Sequence, residues 1–259
     1  MELEFSLLLI LAGVGLVAGF IDSIAGGGGL LALPALLLAG LDPIAALATN
    51  KLQGSFGTAS ATFAFWRRRL LHPRQHLAAM AMVFGGAVLG VILVGFAPRQ
   101  FLSVIMPVLL VGVALYFILA PKLTDHPRPA KLPLAAFTFG FAPVLGLYDG
   151  IFGPGTGSFF MLAMVSLFGL GMVEATARTK LFNFVSNIAS LLMFITTGKI
   201  LWTVGLTMGV AQVIGAQLGA RLAMRKGATL IRPLLVTVCI AMAAKLLWDS
   251  RTTIAAFFT

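Results

Sequence analysis

Charged residues are scarce in this 259-residue chain, in which Asp, Glu, Lys and Arg together make up 10% of the sequence. A soluble domain contains about 25% charged residues, so this chain lacks the charge that a water-facing surface needs. It also has a single cysteine, Cys239, which excludes an intrachain disulfide and which we expect to be a small packing residue. These two shortages argue against a soluble domain and exclude a disulfide-stabilised one.

Sequence motifs for catalysis and nucleotide binding are missing as well. The glycines Gly26–Gly29 lack the following Lys-Ser/Thr pair of a phosphate-binding loop. No nucleophile lies beside a base, no acids are paired at catalytic spacing, and the three histidines lie in or beside predicted loops. We therefore predict no metal, no other cofactor and no enzymatic activity; an intramembrane enzyme is the weakest alternative.

Long apolar runs dominate what is present. The chain is 59% hydrophobic and has a mean hydropathy of +1.04. A helix needs about 20 apolar residues to cross a bilayer, whereas a transmembrane barrel would show short alternating segments. We predict an all-α, multi-pass membrane protein with about eight transmembrane helices and glycine-broken half-helices. The predicted helices cover residues 5–24, 30–41, 44–66, 76–96, 101–120, 132–151, 158–170, 174–196, 201–224 and 228–248.

The net charge of +10 comes largely from cations in short loops between the apolar runs. Such loops set the orientation of a membrane protein, because Lys and Arg accumulate on the cytoplasmic side. Membrane lipid is therefore the expected partner of this charge, and nucleic acid is not.

The two halves of the chain carry the same motifs in the same order. GFIDSIAGGGG from Gly19 aligns without a gap with GLYDGIFGPGTG from Gly146. Further along, ALATNKL aligns with ATARTKL, which pairs Lys51 with Lys180. Several ordered matches of this kind indicate an internal duplication.

A hydrophilic segment at residues 121–131 separates the two halves. We predict that it is a central cytoplasmic loop. The first membrane repeat would then cover residues 1–120, and the second would cover residues 132–259. Arg67–Arg69 makes one loop of the first repeat strongly basic, whereas in the second repeat the basic pair is Arg225-Lys226, at a different loop. This reversal of the charge bias predicts inverted repeats.

Two pairs of small residues also match between the halves. Gly86 and Gly90 align with Gly215 and Gly219. Because glycines four residues apart let two helices approach closely in a membrane, we predict that both pairs pack against other helices.

Two glycine-rich segments interrupt apolar runs at matching positions, namely Gly26, Gly27, Gly28 and Gly29 in the first half and Gly153, Gly155 and Gly157 in the second. Irregular backbone inside a bilayer is tolerated only where protein or water surrounds it. One interpretation is a discontinuous helix in each half, whose amide groups face an anionic substrate near the middle of the membrane. The alternative is close helix packing through glycine.

Asp22 and Asp149 are the acidic residues that lie well inside apolar runs. A carboxylate inside a membrane is costly and usually faces the interior of the helix bundle. These two residues are candidates for proton coupling or gating. The alternative is a structural role, as partners of a lysine or as capping groups at the break.

Lys51 and Lys180 each lie about two helical turns into a predicted helix, too deep to reach the membrane surface easily. A polar set surrounds them and completes the predicted substrate site: Asn50, Gln53, Asn183, Ser186 and Asn187. A lysine together with amide side chains and glycine-rich backbone would suit an oxyanion. The alternative is a Lys–Asp ion pair within each repeat that only stabilises the fold.

Four segments together resemble the TauE/SafE (sulfite exporter) family, and more narrowly its YfcA-like branch: FIDSIAGGGGLLALPAL, ALATNKLQGS, GLYDGIFGPGTGSFF and ATARTKLFNFVSNIASL. The resemblance spans nearly the whole chain. It implies an inner-membrane permease with duplicated halves that moves sulfur-containing anions, often outward. Arg178 and Phe182 stand where the first half has Thr49 and Gln53, which would make the two half-sites unequal.

We therefore predict a secondary transporter for a small anion, such as a sulfur-containing oxyanion or an organosulfonate. The alternatives are an anion channel and a structural membrane subunit without transport activity. Homo-oligomerisation stays open.

Overall fold

The computed structural model describes residues 5–119 and 128–226, together with Ala244 and Trp248. Within these residues every regular element is a helix, which confirms the all-α class. The predicted helix at 228–248 and Cys239 lie outside the described residues, apart from the two isolated positions. The helices are α1 Phe5–Ala25, α2 Gly29–Leu38, α3 Pro43–Arg67, α4 Leu77–Gly95, α5 Arg99–Leu119, α6 Leu134–Ala136, α7 Ala142–Ile151, α8 Thr156–Ser166, α9 Met172–Thr197 and α10 Trp202–Lys226.

Five of the described helical segments are long and apolar enough to cross a membrane: Phe5–Ala25, Pro73–Gly95, Leu134–Ile151, Met172–Thr197 and Trp202–Arg225. The number of eight stays a prediction, because the predicted helix at 228–248 lies outside the described residues. The segment Leu134–Ile151 includes a π-helical turn between α6 and α7. Helix α3 has 25 residues and is long enough, but its polar residues around Lys51 lower its hydropathy. On α10, the apolar side chains Val210, Ile214 and Leu218 are exposed at four-residue intervals and therefore share one outer face. Lipid would contact this face.

Both glycine breaks are tips of helical hairpins. A Cβ on Gly28 would lie 2.8 Å from the carbonyl oxygen of Ala18, ten residues earlier, so the chain turns back along α1. In the second half, the Lys131 and Leu132 amides donate to the carbonyl of Leu167, which joins the start of one arm to the end of the other. The prediction of a discontinuous helix is therefore wrong.

The reversals depend on glycine, because Gly26 has φ +78° and Gly153 has φ +93°, in the region that other residues rarely adopt. The predicted non-helical segments are confirmed, although they are shorter than expected. Gly29 is the first residue of α2, and Gly157 lies within α8. The depth of the breaks in the membrane stays a prediction.

Helix α1 of the first half packs against α10 of the second half, and α7 of the second half packs against α4 of the first. Helix α1 lies on α10, where Cβ atoms on Gly215 and Gly219 would come within 2.2 Å of the Leu16 and Phe20 carbonyl oxygens. Helix α4 lies on α7 in the same way, with Gly86 and Gly90 facing backbone of that helix. The predicted glycine packing motifs are thus confirmed, and the contacts they make join the two halves.

The directions of the central helices follow from their contacts. Along α3 and α10, Leu52 faces Gly205 and Phe56 faces Gly209, so these two helices run parallel. Along α3 and α9 the order is reversed. Thr49 Oγ1 accepts a hydrogen bond from the amide of Leu201, just beyond the end of α9, whereas Gly54 faces the earlier residue Asn187. The helices that carry the matched lysines therefore run antiparallel.

Candidate functional site

The tips of the two hairpins touch inside the protein. A Cβ on Gly26 would lie 2.3 Å from the carbonyl carbon of Gly157, and one on Gly157 would lie 2.7 Å from the Cα of Gly26. The hydroxyl of Ser158 donates to the carbonyl of Ala25 across the same contact. The glycines therefore allow the two backbones to meet, which a side chain on either would prevent.

Two buried ion pairs cross between the halves. Lys51 Nζ lies 2.7 Å from Asp149 Oδ2, and Lys180 Nζ lies 3.0 Å from Asp22 Oδ2. Each lysine also donates to the backbone carbonyl of its aspartate. The alternative of an ion pair within each repeat is therefore wrong, because each hairpin tip reaches the long central helix of the other half.

The lysines also sit at helix ends that favour them. Asp22 and Asp149 lie in the last turns of α1 and α7, where the backbone carbonyls carry partial negative charge that an ammonium group offsets. Helices α2 and α8 begin at the same tips, so their N-terminal amides are directed towards the protein interior. Helix N-termini attract anions. The tips thus combine cationic side chains with amide donors.

The amide side chains predicted from the sequence lie beside these pairs. Gln53 Nε2 donates to Asn50 Oδ1 at 2.9 Å. Asn187 Nδ2 donates to Asn183 Oδ1 at 3.1 Å, and Ser186 Oγ donates to the carbonyl of Asn183 at 3.1 Å. All five residues are buried. The polar side chains predicted to surround the lysines are therefore hydrogen-bonded to one another inside the protein.

A small cavity of about 20 Å³ lies between the hairpin tips and helices α3, α9 and α10. This volume has room for about one or two water molecules, so a larger ligand requires the helices to separate. Its lining comprises Asp22, Gly26, Gly29, Asn50, Lys51, Gln53, Gly54, Thr58, Asp149, Gly153, Asn183, Asn187 and Gln212. Six of the predicted site residues are near it without lining it: Gly27, Gly28, Gly155, Gly157, Lys180 and Ser186.

The cavity also contains a side chain that sequence reasoning missed. Gln212 of α10 is 2% exposed, and its side chain fits against Gly19 and Gly57, where a Cβ would come within 2.7 Å of it. Its Oε1 and that of Gln53 are buried and have no hydrogen-bond partner among the described residues. A buried polar group without a partner is rare. A glutamine within the apolar run of α10 was the signal available in the sequence.

Metal-binding groups are not assembled in this region. Within residues 5–119 and 128–226, no three His, Cys, Asp or Glu side chains lie together in a way that could hold a metal ion. The chemistry on offer is that of ammonium, carboxylate, amide and backbone groups.

Comparison with known proteins identifies the family. The family model described as sulfite exporter TauE/SafE matches residues 11–246 of the chain. The chain belongs to the TauE/SafE family. This finding confirms the resemblance noted from the four sequence segments.

Three relatives match along almost their whole length. The chain is 49% identical to the probable membrane transporter protein ORF9 of a Sinorhizobium species over 248 residues, which cover 96% of this chain and 95% of that one. It is 47% identical to the probable membrane transporter protein YfcA of Escherichia coli K12, with 94% and 91% covered. A probable membrane transporter protein of Haemophilus influenzae is 44% identical, with 96% and 98% covered.

Family membership and the apolar helices agree. The chain is a multi-pass transmembrane permease of the TauE/SafE family, and the inner membrane is the location expected from its bacterial relatives.

Proposed function

We propose that this protein is a secondary transporter that binds a small sulfur-containing anion, an oxyanion or an organosulfonate, in the cavity between the hairpin tips. The observation that carries the proposal is that the buried Lys51 side chain and the glycine tips at two helix N-termini meet at one polar cavity. Lys51, the amides of Asn50, Gln53, Asn183 and Asn187, and the backbone of the glycine tips would contact the anion.

The charge of the site supports a role for the aspartates in coupling. Two lysines and two aspartates sum to zero, so an anion that enters adds uncompensated negative charge to a buried site. Such charge is strongly unfavourable in a low-dielectric interior. We propose that Asp22 or Asp149 takes up a proton or changes its partner when the anion binds. Transport would then be coupled to a proton gradient.

An inverted arrangement of the two repeats, 1–120 and 132–259 with 121–131 between them, would supply the conformational change. Antiparallel α3 and α9 carry the matched lysines, which supports inversion. Parallel α3 and α10 end at the arginines Arg67 and Arg225, which supports a common cytoplasmic side. The small size of the cavity supports an occluded state between outward and inward openings.

The family is named for sulfite export, which supports both the sulfur anion and outward transport. A channel remains the principal alternative, because a continuous pore could use the same charged groups. Counterflow at a clamped membrane potential distinguishes the two, since unlabelled substrate on the far side accelerates the uptake of labelled substrate by a carrier but not through a channel.

The test uses purified protein and a panel of sulfite, sulfate, ethanesulfonate and chloride. We expect a sulfur anion to raise the melting temperature, because a ligand that binds only the folded state stabilises it. In liposomes the same anion should show saturable flux and counterflow. Lys51→Gln should abolish both effects, whereas Lys199→Gln, at an exposed lysine between α9 and α10, should leave them intact. A protein that binds and moves no sulfur anion would refute the proposal.

A further inference from the structure

The two lysine–aspartate pairs occupy different surroundings. Lys51 and Asp149 both line the cavity, whereas Lys180 is fully buried behind it and only its partner Asp22 reaches the lining. Asp22 also holds the first hairpin together, because its Oδ1 accepts a hydrogen bond from the Gly28 amide at 3.2 Å. The Lys180–Asp22 pair is thus built into the turn.

The second hairpin is held by other groups. The hydroxyl of Tyr148 donates to the carbonyl of Pro154, and that of Thr156 donates to the carbonyl of Gly153, both at 2.7 Å. In the repeat alignment Tyr148 corresponds to Ile21, which cannot make such a bond. In the part of the chain that the structure describes, no backbone amide donates to the Asp149 carboxylate. Asp149 can therefore exchange its partner without opening the turn.

The lining of the cavity is not repeated at the equivalent positions of the other half. Gln53 and Gln212 line it, and their repeat equivalents are Phe182 and Val83. Phe182 lies in a cluster of aromatic rings, 5.2 Å from the ring centroid of Phe137, and Val83 is buried in the same apolar cluster. Hydrocarbon fills the half-site that corresponds to the glutamines.

The glutamine amides have unused hydrogen-bonding capacity. Gln53 Oε1 and Gln212 Oε1 are buried without partners in the described chain. A half-turn of the Gln212 amide exchanges its carbonyl for an NH₂ group, and Gln53 can do the same if the Asn50 amide turns with it, so that Asn50 Nδ2 donates to Gln53 Oε1. Each glutamine can then direct donors at an oxyanion. Together with Lys51, these two glutamine side chains provide the donors to bind a single anionic group.

We propose that the transporter has one anion site rather than two symmetric ones. The oxyanion displaces Asp149 from Lys51 and accepts hydrogen bonds from Gln53 and Gln212. Lys180 and Asp22 form a permanent clamp on the first hairpin. This proposal rests on the proposed transport function and assigns unequal roles to residues that the repeat makes equivalent.

The first test needs no ligand. Two double variants remove one pair each, Lys51→Met with Asp149→Ala and Lys180→Met with Asp22→Ala. Removing the clamp also leaves the Gly28 amide without its acceptor, so that variant should melt at least about 2 °C below the other. Failure of the clamp variant alone to fold gives the same answer. Equal losses, or a larger loss in the Lys51 pair, would overturn the clamp.

The second test measures sulfite affinity by thermal shift. Gln212→Met should weaken binding at least about tenfold, the loss expected for a hydrogen bond to a charged group, with little change in melting temperature. Val83→Ala, at the repeat-equivalent position, should lower the melting temperature and leave affinity within about twofold.

The outcomes separate the two proposals. If wild-type protein binds no anion of the panel, the proposed substrate class fails, and the ligand-free comparison still decides the clamp. If the wild type binds sulfite and Gln212→Met binds it equally well, the single asymmetric site is wrong.

Discussion

The contact between the hairpin tips predicts that Gly26→Ala is one of the most damaging single-methyl changes in the protein. Alanine at φ +78° costs about 1–2 kcal/mol in backbone strain. Its Cβ would lie 2.3 Å from the carbonyl carbon of Gly157 and 2.5 Å from the amide of Ser158. Because both atoms are backbone, the tips must move apart, at an overpacking cost of about 1–3 kcal/mol. The expected total is roughly 2–5 kcal/mol.

A matched control isolates the clash from the strain. Gly40 has a similar φ of +86°, but a Cβ there meets nothing within 4 Å. Gly40→Ala should therefore cost only about 1–2 kcal/mol. The assay is unfolding of the purified protein in mixed micelles by increasing SDS, followed by tryptophan fluorescence.

The two variants should differ by at least about 1 kcal/mol. Equal losses would show that the tips do not touch as described and would remove the geometric basis of the site. Gly26→Ala should also slow anion flux in liposomes more than Gly40→Ala, because the separated tips no longer place the helix N-termini together.

Three further outcomes are expected. Gly219→Ala should destabilise the protein by about 1–3 kcal/mol in the same micelle assay, whereas Gly13→Ala, with open space at its Cβ, should be neutral or stabilising by up to about 1 kcal/mol; equal effects would contradict the helix contact. Lys51→Arg should restore only part of the flux lost in Lys51→Gln, because a planar guanidinium fits a compact ammonium site poorly; full restoration would argue for charge alone. Ethanesulfonate flux in liposomes should increase when a proton gradient is imposed across the membrane, because the proposed coupling moves a proton together with the anion; a flux that does not respond to the gradient would argue against proton coupling.

The sequence predicted the helices and the breaks well because their signals are local. Asp42 caps α3 through the amide of Ile44, and Pro43 opens the helix, so its start could be read from the sequence. The buried lysines and aspartates were found because charge inside an apolar run is rare. Their pairing was not, because Lys51 and Asp149 lie 98 residues apart and meet only through tertiary packing.

The two failures have definite physical causes. A glycine-rich gap in an apolar run fits both a helix that continues across the membrane and one that turns back, and only contacts such as that of Gly28 with Ala18 distinguish them. Gln212 was missed because it is neutral and its repeat equivalent is Val83. Comparison of the two halves emphasises matched positions, and the asymmetry of this site lies where they differ.

The crossed ion pairs have a consequence for synthesis of the protein. Asp22 lies 158 residues before Lys180, so at about 5–20 residues per second its partner is translated roughly 8–30 s later. During that interval the first repeat holds a carboxylate and an ammonium whose final partners have not been made. Each charge then needs either a temporary partner or an aqueous environment within the insertion machinery. Release of the first repeat into lipid and acquisition of the second repeat are therefore expected to be a single coordinated event during biogenesis.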